Sequence, residues 1–103
     1  MHQSIVDHNS EIAEICRRYG VIELDLFGSA ATGKNFDETR GDFDFLVQFS
    51  EAARAKAFDN YFGLHEDLHS LLRRPIDLVT VEQVRNPYFR AAIEASRKQV
   101  YGG

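Results

Sequence analysis

Apolar residues recur along this chain at two spacings, one helical and one extended. Ile12, Ile15, Cys16 and Tyr19 follow i, i+3, i+4, i+7, which predicts a helix over residues 10–19 with one apolar face. Asn9 or Ser10 can cap its start and Gly20 can close its end. The spacing then switches to two over residues 21–27. Ile22, Leu24 and Leu26 alternate with Glu23 and Asp25, the pattern of a half-buried strand. Gly28-Ser29 ends that strand. Residues 30–41 show no apolar period beyond Phe36 and read as a long loop, which in a small domain is usually functional.

Alternation returns over residues 42–49. Phe43, Phe45, Val47 and Phe49 face one way; Asp42, Asp44, Leu46 and Gln48 face the other. Ser50 caps a second helix over 51–72, striped by Ala57, Tyr61, Leu64, Leu68 and Leu71. Pro75 introduces a third strand over 76–81. Asn86 and Pro87 start a last helix, with Phe89, Ile93, Ser96 and Val100 on one face. The order helix, strand, strand, helix, strand, helix predicts an α/β (α+β) fold. Its small mixed sheet has helices packed on one face, leaving the other free for a site.

Composition narrows the function classes. A length of 103 residues accommodates one domain, 1–103. At 44% hydrophobic and 27% charged, the chain is too apolar to be disordered. It has no apolar run of the roughly 18 residues a membrane span needs. Its first residues lack the basic start and apolar stretch of a secretion signal. A net charge of −4 argues against stable DNA binding, though cations can bridge acidic side chains to a nucleotide. Cys16, the single cysteine, forms no internal disulfide, fits a cytoplasmic location, and reads as core.

The chemistry concentrates in three places. Asp42 and Asp44 are two apart on a strand and share a face, where like charges repel and Asp is disfavoured. Two surface carboxylates are the plain reading. Asp77, inside the otherwise apolar PIDLVTV, joins them if the third strand lies beside the second. Three converging carboxylates suit Mg²⁺. Gly28-Ser29 offers a close backbone approach and a hydroxyl, and turn amides of this kind hold phosphate oxygens.

LFGSAATG, GDFDFLV and PIDLV, in that order, resemble the minimal nucleotidyltransferases of the DNA polymerase β superfamily, and NPYFRAAIEASRKQVYG is similar to that family's last helix. The resemblance implies a nucleotidyltransferase fold in which Gly28 and Ser29 hold the triphosphate of ATP. It implies that Asp42, Asp44 and Asp77 are catalytic and bind two Mg²⁺ ions. Attack on the α-phosphorus would release pyrophosphate, with Asp77 beside the attacking hydroxyl. Lys34 and Arg40 are the basic candidates in the spacer for phosphate binding. The spacer, 30–41, is longer than the family's commonest form, and Gly41 stands where the family often has Ser. Such proteins commonly act as antitoxins, transferring AMP to a tyrosine of a HEPN-domain ribonuclease toxin. An inactive antitoxin that neutralises its partner by contact is the alternative, with Tyr88 and Tyr101 as possible anchors.

A competing motif belongs to another class. His65-Glu66-Asp67-Leu68-His69 matches H-E-x-x-H, the helical spacing of a zinc peptidase. It needs a third ligand, for which Glu82 and Glu94 are available. The plain reading is a solvated helix flank beside the Leu64 and Leu68 stripe.

Overall fold

The computed structural model describes residues 1–34, 36–38 and 41–102. Helices α1 (Gln3–Asp7) and α2 (Asn9–Arg18) lead into strand β1 (Val21–Phe27) and the one-turn helix α3 (Ser29–Thr32). Strand β2 (Phe43–Phe49) is followed by α4 (Glu51–Arg54), α5 (Ala57–Leu72) and β3 (Ile76–Thr80). A 3-10 turn then leads to α6 (Pro87–Ser96) and β4 (Lys98–Tyr101). The capping signals act as their residue types dictate. Ser50 Oγ accepts the Ala53 amide, and the Asn86 side chain accepts those of Tyr88 and Phe89.

The four strands lie in the order β3-β2-β1-β4. β2 and β3 are parallel, while β1 runs antiparallel to both β2 and β4. A parallel pair needs a crossover, which α4 and α5 supply. One sheet face, with Leu24, Leu26, Phe43, Phe45, Val47 and Leu78, packs on Ile12 and Cys16 of α2 and Leu64 and Leu68 of α5. Cys16 is core as expected, and burial pushes its thiol up to about 12, which leaves it inert.

The mixed sheet follows the expected fold class, but α6 departs from the expectation of helices on one face. Phe27 and Leu46 bring apolar bulk to the opposite face, where Ile93 of α6 and Val84 bury it in a second, smaller cluster. Asp77, on that same face, remains exposed. Val100 belongs to β4, which pairs with β1, rather than to the last helix. A four-residue edge strand reading KQVY has too little alternation to announce itself. The 51–72 helix is two helices, interrupted at Ala55-Lys56. Ile22 does not join Leu24 and Leu26. A register shift between Val21 and Glu23 turns it outward, 48% exposed, as a β-bulge does.

Candidate active site

Parallel pairing of β2 and β3 sets Asp44 directly opposite Asp77, so both side chains leave the same sheet face. That is the face opposite α2 and α5. Asp42 immediately precedes β2 and is exposed, as is Asp77, whereas Asp44 is half-buried. Burial, then the charges of Asp77 and Asp42, push the Asp44 carboxyl up to about 6. Asp44 therefore lies within the fields of both Asp77 and Asp42. No base among the described residues pulls Asp44 back. The trio is an array rather than a closed cage: among the described residues, no three His, Cys, Asp or Glu side chains are drawn together tightly enough to hold a metal. Mutual repulsion favours such spacing. The donors nevertheless fit Mg²⁺, being all oxygen, all anionic and on one face.

The Gly28-Ser29 turn stands over this array. Phe27, the last residue of β1, pairs with Asp44, and the chain then turns at Gly28 with φ 74° and ψ −156°. That region is essentially restricted to glycine. A Cβ on Gly28 would lie 2.7 Å from Asp44 Oδ2, so only glycine lets the backbone pass this close. The Gly28 amide is already engaged, donating to Ser96 Oγ of α6 at 3.0 Å. Ser29, half-buried, opens α3, where the Ala31 and Thr32 amides donate to the Gly28 carbonyl at 3.1 and 3.3 Å.

The two basic candidates fare differently. Lys34 is exposed in the turn after α3, its amide donating to Thr32 Oγ1. No ion pair joins it to the aspartates among the described residues. Arg40 lies outside the described residues. Gly41 has a steric reason for its identity: an added Cβ would meet the Phe36 ring at 2.4 Å and the Asp37 carbonyl oxygen at 2.5 Å.

Arg74, which sequence reasoning passed over, organises the approach to Asp42. Its guanidinium donates to the Gly41 carbonyl at 3.2 Å, to that of Asp37 at 3.4 Å and to that of Glu38. It also lies 5.1 and 5.3 Å from the Phe36 and Phe43 ring centroids. His2 closes the same cluster, its ring against Phe36 and Phe43 and its Nε2 2.9 Å from Glu38 Oε2. Nothing local to Arg74-Pro75 signals partners more than thirty residues away.

Alternation places Asp25 on the polar side of its strand, yet it is 2% exposed. It faces Leu46 across β1 and β2, two residue pairs along from the Phe27–Asp44 pair and so on the same sheet face. Arg97 Nε lies 3.4 Å from its Oδ2, while its Oδ1 has no hydrogen-bond partner. Burial, then Glu23, push its carboxyl up to about 6. Leu46 separates it from the aspartate array.

The H-E-x-x-H pair is engaged elsewhere. His65 Nε2 donates to the Ile76 carbonyl and His69 Nδ1 to that of Arg74, each at 2.9 Å. These bonds hold the entry to β3, with the acceptor fixing the tautomer in each case. Of the suggested contact anchors, Tyr88 is 86% exposed, whereas Tyr101 packs against the main core. An apolar groove of about 650 Å³, lined by Phe49, Phe58, Tyr61 and Phe62, lies at the far ends of β2 and β3, away from the aspartates.

Comparison with known proteins places this geometry. The family described as "Nucleotidyltransferase domain" matches residues 10–100. "Putative protein adenylyltransferase MJ1379" of Methanocaldococcus jannaschii is 37% identical over 93 residues, covering 82% of this chain and 90% of that protein. Among solved structures, a toxin-antitoxin with AMP-PNP superposes with a TM-score of 0.62 at 22% identity, covering 92% of this chain and 73% of that one. A complex of tri-AMPylated Shewanella oneidensis HEPN toxin with MNT antitoxin gives 0.56 at 19% identity, covering 96% and 73%. At those identities the structural likeness is one of fold. The family match extends over nearly the whole chain and includes Gly28-Ser29, Asp42, Asp44 and Asp77; the chain belongs to the minimal nucleotidyltransferase family and is a nucleotidyltransferase.

Proposed function

We propose that this chain transfers AMP from ATP to a hydroxyl of a partner protein, a tyrosine of a HEPN-domain toxin, and thereby acts as its antitoxin. One observation carries the reading: Asp44 and Asp77 sit in register on one sheet face, with Asp42 in electrostatic range and the Gly28 turn directly above. The adenylyltransferase name of the archaeal relative and the AMPylated toxin held by a fold neighbour support the choice of reaction and partner.

Asp42, Asp44 and Asp77 would hold two Mg²⁺ ions, which when bound offset triphosphate charge and stabilise the attacking and leaving oxygens. Ser29 and the α3 turn face the triphosphate, while Gly28 leaves room for it above Asp44. The acceptor oxygen bonds to the α-phosphorus as the bond to pyrophosphate breaks. Asp77, exposed at the start of β3, takes the hydroxyl proton. An acidic surface, at a net charge of −4, suits a protein acceptor better than a polynucleotide.

The test is transfer of label from α-³²P-ATP to a purified HEPN-domain protein encoded beside this chain. Labelling that needs Mg²⁺ and disappears in Asp44→Ala is the expected result. Toxin neutralisation that survives the Asp42→Ala, Asp44→Ala double change, with no label on the toxin, would establish contact alone and sink the transfer reading.

A further inference from the structure

We infer that Ser96 is a positioning residue of the nucleotide site, its hydroxyl clamping the Gly28 amide and so fixing the Gly28-Ser29 turn above Asp44. The inference rests on the functional reading given above. Its geometry is a relay. Ser96 Oγ donates its own proton back into α6, to the Ala92 carbonyl at 3.2 Å, with Ile93 O at 3.5 Å. That orients a lone pair toward the Gly28 N–H, 3.0 Å away. The two residues are 68 apart in sequence, so the contact exists only because α6 crosses the face that carries the aspartates.

The clamp is rigid on both sides. Three residues before Ser96, Ile93 is 2% exposed and locked among Phe27, Leu46 and Val84. One residue after it, Arg97 pairs with Asp25, Glu23 and Glu94. What it holds has little tolerance, since a Cβ added at Gly28 would stand 2.7 Å from Asp44 Oδ2. Displacing such a turn changes the room above the carboxylate, and small misplacements of a reacting group are disproportionately damaging.

The experiment measures binding of the non-transferable analogue α,β-methylene-ATP with Mg²⁺ by calorimetry, alongside thermal stability. Ser96→Ala should raise the dissociation constant about 5–10-fold, the worth of one hydrogen bond to a part-buried amide. Ser96→Thr, which keeps the hydroxyl, should restore most of it. Ser50→Ala is the control: it removes a comparable serine-to-amide bond from the cap of α4, at the other end of the sheet. It should lower stability and leave nucleotide affinity unchanged. Equal binding by Ser96→Ala and wild type, or equal weakening by Ser50→Ala, overturns the inference while leaving the nucleotidyltransferase reading intact. Failure of the wild type itself to bind the analogue overturns both. The Gly28 amide gives a readout without any variant: it should be protected from hydrogen exchange in the free protein, and rapid exchange there removes the clamp.

Discussion

Replacing Asp44 by Asn should make the metal-free protein more stable and the enzyme inactive. The carboxyl is raised from 3.8 to about 6, first by burial and then by Asp77 and Asp42. An acid with a higher pKa folded than unfolded holds its proton more tightly in the native state. Its contribution to stability is whole below about pH 4 and is lost as pH rises through about 6. At neutral pH the ionised carboxylate therefore opposes folding. A shift of about two units corresponds to about 3 kcal/mol, and partial solvent access reduces this to about 1–2 kcal/mol. Asn keeps the shape and removes the charge. In the absence of divalent ions, the variant should melt roughly 5–10 °C above wild type at pH 7.5 for a domain of this size. The gain should shrink as pH falls toward 4, where wild-type Asp44 is itself neutral. Label transfer should fall by about a hundred- to a thousandfold, as removal of a charge-stabilising group does. Melting curves at pH 4.5, 6 and 7.5 test the stability half. A variant less stable than wild type at pH 7.5, or a gain that does not depend on pH, would refute the argument that Asp44 sits in an uncompensated anionic site.

Three further outcomes follow from the same geometry. Gly28→Ala forces a side chain into a glycine-only backbone region and into Asp44, and should lower stability by about 1–3 kcal/mol in urea titration and abolish transfer; wild-type activity in this variant would contradict the close approach. Arg74→Ala should remove about 2–3 kcal/mol through lost carbonyl bonds and ring contacts, with Arg74→Lys recovering only part because it lacks the planar fork; denaturant unfolding and transfer rate both report it. Asp25, raised to about 6 by burial and Glu23, should make stability decline as pH climbs from about 4 to 6, with a limiting slope of about 1.4 kcal/mol per pH unit. Asp25→Asn should reduce that slope to the share Asp44 contributes over the same range, and an unchanged slope by urea unfolding at several pH values would place the titration elsewhere.

The elements legible in the chain are those whose stabilisation is local. β1 occupies the predicted residues because its alternation is carried by Leu24 and Leu26 against polar neighbours. α6 begins at Asn86-Pro87 because cap and ring preference act within one turn. The aspartates were readable for a similar reason. A two-residue period determines which face Asp44 takes, and a parallel neighbour carries Asp77 to it. The bulge that expels Ile22 and the short edge strand holding Val100 depend instead on what lies alongside. No residue within them announces that neighbour.

Most of what the sequence hides in the site originates in the crossing of α6 over the aspartate-bearing face. Phe27 and Leu46 occupy positions that alternation assigns to the polar side, and their bulk favours a cover. Once Ile93 supplies that cover, Asp25 is sealed beneath it, Arg97 is drawn to the buried acid, and Ser96 arrives at the Gly28 amide. Three consequences that look unrelated in sequence are thus one packing event. Arg74 acts likewise on the opposite flank, where stacking on Phe43 ties the entrance of β3 to the segment before Asp42. These two long-range contacts hold the backbone around the three carboxylates in place.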